Sequence, residues 1–189
     1  KTKLMWINYP NMPTGANADE KTIKELIAFA NKHNILLVND NPYSLILTDE
    51  PFSLLKHGTE KTQLLELNSL SKSFNMAGWR IGMLCGNNEL IKNVVQVKTN
   101  MDSGMFYPIQ KGAATALKST SKWNQELNKE YAYRRRLIWK LCDQLNLNYD
   151  KSSSGLFVWS KITNDHSEEE LSDLLLHTYN MFVTPGSIF

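Results

Sequence analysis

Apolar residues 4–7 form a short unbroken run that closes on a stretch rich in proline and glycine, and this pattern predicts a buried strand at residues 4–8 running into a loop. The period then changes. Ile23, Leu26, Ile27 and Ala30 recur at helical spacing, with Asn17 as candidate N-cap and Glu20 three residues later. Residues 35–38 make a second apolar run, which delivers Asp40 just past its carboxyl end. Runs at 64–67 and 81–84 complete four strand candidates, and Lys72 lies in the connection between the last two. Strands alternating with helices predict an open α/β sheet, whose ligands bind in the crevice at the strand carboxyl ends.

From Glu89 the pattern is helical, with Leu90, Ile91, Val94 and Val95 on one stripe, a break near Ser103 and Gly104, and a new start at Pro108. Leu127, Tyr131, Arg134, Ile138, Leu141 and Leu145 then alternate spacings of four and three, which predicts a long helix packed against a neighbour. Beyond a turn at residues 152–155, a strand is expected at 156–159. Ser167 and Glu170 form a capping box for a last helix bearing Leu171, Leu174 and Leu175. The chain closes on Met181, Phe182 and Val183 and a turn at Pro185 and Gly186.

Composition narrows the function classes. A charged fraction of 21%, a net charge of +2 and 42% apolar residues in 189 fit an ordinary globular chain and carry no field expected of a nucleic-acid binder. The basic run at residues 134–136 reads as a solvated helix face rather than a phosphate tract, the alternative being that Arg134 faces inward to a carboxylate. Cys85 and Cys142 belong to no metal or redox spacing, which points to free thiols and a cytoplasmic location. His33, His57, His166 and His177 show no ligand spacing, so no metal is expected. No stretch reaches the length of a membrane span, so no membrane partner is expected.

Three segments carry candidate chemistry. Residues 69–82 set Lys72 among Ser69, Ser71 and Ser73, with Arg80 eight residues on. An amine in such a setting can attack a carbonyl, and arginine is a permanently charged fork suited to phosphate. Residues 39–43 place Asp40 three residues before Tyr43, and residues 9–16 read YPNMPTGA. In this order the segments resemble the class I/II aminotransferases of the pyridoxal phosphate (PLP) fold type I. The resemblance covers nearly the whole chain and is most specific at Lys72 and Arg80.

That resemblance implies a three-layer α/β/α large domain, present in part at residues 1–115, a connecting helix at 116–150, and part of an α+β C-terminal small domain at 151–189. It implies PLP as cofactor, held as a Schiff base on Lys72, which then serves as the base that moves the substrate proton. Asp40 is implied as partner of the pyridine nitrogen, Tyr43 as donor to the cofactor's phenolic oxygen, and Ser69 and Arg80 as phosphate ligands. Ser71 and Ser73 are either further ligands or capping residues. One position departs from the family pattern: Met12 stands where an asparagine donates to the phenolic oxygen, so that contact is either missing or supplied by Asn11.

The implied activity is transfer of an amino group between an amino acid and a 2-oxo acid, the two small-molecule partners, in a homodimer. Residues 100–107 are either a dimer contact or a plain interhelical loop. Two alternatives use the same scaffold: a carbon–sulfur lyase, and the ligand-sensing domain of a transcription regulator. The family's glycine-containing phosphate loop, its ring-stacking aromatic and its carboxylate-binding arginine are not found in these residues. The chain is therefore expected to be an internal portion of a longer enzyme and, by itself, not to sustain transamination.

Overall fold

The structure, a computed structural model, describes residues 1–59, 62–119, 121–163 and 165–189. A four-stranded mixed sheet organises the first half in the spatial order β1 (Leu4–Ile7), β2 (Leu36–Asn41), β3 (Leu64–Ser69) and β4 (Gly82–Gly86). The first three strands are parallel and β4 is antiparallel to β3. Parallel neighbours need a crossover. Between β1 and β2 it is helix α1 (Glu20–His33), which buries Ile23, Ile27 and Ala30 against Ile35, Leu37, Leu54 and Leu64. An isolated helix of 14 residues is marginal in water, so this apolar face, at about 1.5–3 kcal/mol for each large side chain, holds it in place.

Two sequence expectations for this half are corrected. The cap of α1 is Asp19, whose carboxylate accepts from Thr22 N at 2.9 Å. A cap must directly precede the first turn, and a carboxylate there also meets the positive end of the helix dipole. Asn17, the expected cap, instead donates from Nδ2 to Ser152 O at 3.1 Å. Strand β2 outlasts its apolar run, because Asn39, Asp40 and Asn41 stay in register with Glu66, Leu67 and Asn68. Asp40 therefore sits within the strand rather than past it.

From β3 the chain turns back through the short helix α2 (Leu70–Ser73) and a 3-10 turn at Ala77–Trp79. Leu70 N donates to Ile81 O at 3.2 Å and closes the base of this excursion. Helix α3 (Asn88–Met101) follows, then α4 (Tyr107–Ala116), which starts one residue before the expected Pro108, keeps that proline in its first turn and packs Ala113 with Leu70, Met76 and Ile81.

The long helix α5 (Ser121–Gln144) carries the expected stripe only in part. Leu127, Tyr131, Leu141 and Leu145 are half-buried, whereas Ile138 is exposed and Arg134 pairs with Glu130 at 2.8 Å on the surface. The arginine that turns inward is Arg135, one position on. Its Nη1 donates to Ser153 O at 2.8 Å and its guanidinium lies 4.9 Å from the Trp139 ring centroid. Strands β5 (Asn148–Tyr149) and β6 (Ser160–Lys161) form a small antiparallel pair. Residues 156–159, expected as a strand, join no ladder, because this segment is spent on the first half of the chain: Gly155 N donates to Ile46 O at 2.9 Å and Phe157 packs on Tyr43. The last helix, α6 (Glu168–Tyr179), has the expected Ser167 and Glu170 capping box.

The loop after β1 is clamped against this C-terminal segment at Gly15. Its φ is +72°, and an added Cβ would lie 2.6 Å from Ser154 O and 2.8 Å from Ser153 Cβ, while Ser154 N donates to Gly15 O at 2.8 Å. Gly15→Ala is expected to cost about 2–4 kcal/mol, combining a left-handed backbone with overpacking. Urea unfolding of the two proteins measures it.

Candidate active site

The carboxyl ends of β1, β2 and β3 share one edge of the sheet. The amino end of β4 lies there too, since Gly82 pairs with Ser69. Four segments therefore meet at this edge: the loop at residues 8–15, the chain after β2 with Tyr43, helix α2 with Lys72, and the turn that ends on Arg80. Strand register alone brings the segments of Asp40, Tyr43, Ser69, Lys72 and Arg80 to one edge.

Asp40 faces this edge half-buried, opposite Leu67 in the ladder. Its carboxylate makes no hydrogen bond or ion pair with any described residue, and burial raises its pKa above the usual carboxylate range. A desolvated carboxylate without a cation is one that a protonated ring nitrogen would stabilise. Tyr43 is buried, and its hydroxyl donates to Met12 Sδ at 3.4 Å. Burial first, and the Asp40 charge second, raise the Tyr43 phenol pKa, so it remains a proton donor. Phe157 meets the Tyr43 ring edge-on, with centroids 6.0 Å apart. Asn11 does not reach Tyr43: its Oδ1 accepts from Thr14 Oγ1 at 2.6 Å, and its amide turns to Asn8 Oδ1.

Ser69 ends β3 and caps α2, its Oγ accepting from Ser71 N at 3.1 Å. A hydroxyl that accepts this way keeps its proton to donate elsewhere. Lys72, in the same short helix, is half-buried. Arg80 is exposed at φ +51°, and among the described residues its guanidinium makes one hydrogen bond, Nη1 to Ala77 O at 2.9 Å. The rest of the fork is available to an anion. Ser73 is buried, with its carbonyl accepting from Trp123 Nε1 at 3.3 Å, which places it in the packing of α5.

Sequence reasoning missed what lies beneath. Asn39 and Glu66 are buried and bonded to each other, and Asn39 is bonded to the loop after β1. The available signal was a lone carboxylate inside the run Leu64, Leu65, Glu66, Leu67. A large cleft lies elsewhere, lined by Asp49, Lys56, Arg135 and Lys151 among others, and none of Asp40, Tyr43, Ser69, Lys72 or Arg80 lines it. Chemistry, not size, marks the site.

Comparison with known proteins places the chain in a family. The family model for aminotransferase class I and II matches residues 1–189. The chain belongs to that family. LL-diaminopimelate aminotransferase of Maridesulfovibrio salexigens is 35% identical over 192 residues, covering 100% of this chain and 50% of its own. LL-diaminopimelate aminotransferase 2 of Trichormus variabilis is 40% identical over 188 residues, covering 98% and 48%. Among solved structures, the apo form of BacF from Bacillus subtilis superposes with a TM-score of 0.90 at 37% identity over 99% of this chain and 48% of that one. This class I/II chain thus spans about half the length of the curated relatives it matches. The likeness shows the fold type I α/β architecture, here with a mixed sheet. Family membership implies PLP, and the unpaired Asp40, the Tyr43 hydroxyl and the free donors of Ser69 and Arg80 fit it. Among the described residues no helix is long and apolar enough to cross a membrane.

Proposed function

We propose that the protein carrying this chain is a PLP-dependent aminotransferase that moves an amino group between an amino acid and a 2-oxo acid. The observation that carries this is the unpaired, desolvated Asp40 beside Tyr43, at the same sheet edge as Lys72. When bound, PLP supplies an electron sink for the substrate α-carbon. Asp40 holds the ring nitrogen protonated. Tyr43, whose hydroxyl is spent here only on the Met12 thioether, a weak acceptor, would donate to the phenolic oxygen. Ser69 and Arg80 hold the phosphate, the latter as a fixed charged fork. Lys72 would hold the cofactor through its side-chain nitrogen and, as a free amine, would move a proton at the substrate α-carbon.

The names of the relatives, LL-diaminopimelate aminotransferase and transaminase BacF, support transfer over carbon–sulfur lysis or ligand sensing in a regulator. Residues 1–115 would form part of the large domain, 116–150 the connecting helix and 151–189 part of the small domain. A homodimer in the cytoplasm completes the proposal. The segment at 100–107 exposes Met101, Phe106 and Tyr107 as its contact, and Cys85 and Cys142 are free thiols. Sedimentation gives the oligomeric state.

The PLP-loaded full-length protein, given an amino acid alone, is expected to release one equivalent of 2-oxo acid and stop until a second 2-oxo acid is added. Release of pyruvate and ammonia from cysteine conjugates without a 2-oxo acid would assign the lyase instead.

Met12 yields a separate expectation. A donor to the phenolic oxygen draws off negative charge that otherwise favours the protonated chromophore, and the Met12 thioether cannot donate. Met12→Asn is therefore expected to lower the pH midpoint of the bound chromophore. A spectroscopic titration with no downward shift removes this role from position 12.

A further inference from the structure

Asn39 and Glu66 take no part in the chemistry above, yet they join two of the segments that form the site. The last backbone pair between β1 and β2 is Ile7 with Asn39. Past it, side-chain amides continue the pairing. Asn39 Oδ1 accepts from Tyr9 N at 3.0 Å, and its Nδ2 donates to Tyr9 O at 3.2 Å, as the peptide group of a neighbouring strand would. Asn8 Nδ2 donates to Asp40 O at 2.6 Å, and Asn8 Oδ1 accepts from Met12 N at 2.7 Å. Loop residues 8 and 9 are thus fastened to residues 39 and 40.

The fastening is itself supported from below. Asn39 Nδ2 also reaches Glu66 Oε2 at 3.4 Å, the oxygen that accepts from Leu54 N at 2.7 Å, and Glu66 Oε1 accepts from Asn68 Nδ2 at 3.2 Å. Asn39 is 0% and Glu66 3% exposed. A buried carboxylate is costly unless its oxygens are hydrogen-bonded, and here both are. The arrangement fixes the direction of the Asn39 amide, whose flipped form would set NH₂ against Tyr9 N–H and a carbonyl against Glu66. The β1 strand is only four residues long at the sheet edge, so without this amide the loop that follows has no ladder beyond Ile7.

We propose that Asn39, oriented by Glu66, is a positioning residue of the site: it sets the height of the loop at 9–15 over Asp40 and Tyr43 and so places Met12 against the Tyr43 hydroxyl. This rests on the proposed function only for its effect on the cofactor. The loop restraint itself belongs to the protein without ligand.

The test compares Asn39→Leu, close in volume but without the amide, with Ile27→Ala, which loosens the core under α1 and touches none of these bonds. In the cofactor-free full-length protein, Asn39→Leu is expected to speed amide exchange at Tyr9 and Met12 by at least about tenfold, relative to the α1 amides. Ile27→Ala has no such selective effect. In the PLP-loaded protein, Asn39→Leu is expected to weaken PLP binding by about tenfold or more and to move the chromophore midpoint by about half a pH unit, while Ile27→Ala moves neither. Asn39→Ser, which cannot span both Tyr9 atoms, gives the same pattern should the leucine variant not fold. Glu66→Gln, whose amide oxygen can still accept from Leu54 N and Asn39 Nδ2, stays near the parent, and Glu66→Leu follows Asn39→Leu. Loop exchange at the parental rate in the Asn39 variants overturns the proposal. So does a loss of PLP affinity that tracks only the loss of Tm in Asn39 and Ile27 variants alike. Absence of a chromophore in the parent protein counts against the aminotransferase assignment instead, and the exchange rates still decide the role of Asn39.

Discussion

Replacing Lys72 by alanine in the full-length protein is expected to reduce amino transfer by on the order of 10^4-fold or more, since a positioned acid–base group contributes typically 10^2–10^4 and the covalent hold on the cofactor is lost as well. The fold should tolerate the change. Lys72 lies in the short helix α2, where alanine is the better helix former, and that helix is held by Ser69 at its cap and by Leu70 in the core rather than by the lysine. Tm should accordingly stay close to the parent while activity disappears. Borohydride reduction of the loaded parent protein followed by peptide mapping checks the same assignment directly. The pyridoxyl mass is expected on Lys72 and not on lysines such as Lys24 or Lys98, whose ammonium groups pair with Glu20 and Asp102 on helix surfaces. A label on any other lysine would remove Lys72 from the centre of the site.

Asp40→Asn should separate function from stability in the opposite sense. A neutral amide cannot hold a ring nitrogen protonated as a carboxylate does, so turnover is expected to fall by about 10^2-fold or more. In the cofactor-free protein the same substitution is expected to be neutral or stabilising at pH 7. Burial raises the folded-state pKa of Asp40 above its ordinary value of 3.8, so the folded chain holds this proton more tightly than the unfolded chain. The associated stability is fully present below pH 3.8 and is lost as pH rises through the folded pKa. The asparagine variant is spared that loss, so its advantage in Tm should exist above the folded pKa of Asp40 and vanish below pH 3.8. Thermal unfolding across that range measures the difference. A variant with full turnover, or one destabilised at pH 7, would return Asp40 to a structural part in the strand.

The parallel strands and the helix between the first two were legible because unbroken apolar runs and one helical stripe mark them, although β1, expected as a buried strand, leaves Leu4 and Trp6 exposed. The limits of that legibility have physical causes. Strand β2 extends through Asn39, Asp40 and Asn41 with Tyr9 and Glu66 bonded to the Asn39 amide and Phe52 O accepting from Asn41 Nδ2, and no hydrophobic period announces such partners. Residues 156–159 look like a strand by composition, yet they cover Tyr43 instead of joining a ladder. In α5 the stripe names Arg134 as an inward residue, but Ser153 and Trp139 receive Arg135, a choice made by where the C-terminal segment crosses the helix.

By itself the sequence determined the residue types of the site and their order along the chain: a lysine with an arginine eight residues on, an aspartate with a tyrosine three residues on, and a loop with methionine in place of asparagine. Spacing can do this because each pair lies within one connection, where local geometry is set by a few peptide units. The tertiary structure decided which groups meet across connections: the Tyr43 hydroxyl at the Met12 sulfur, Asp40 left without a cation, and Asn39 directed by Glu66 toward Tyr9. Those contacts join residues about thirty positions apart, and they depend on strand register, which a shift of one residue would reverse by turning every side chain to the other face.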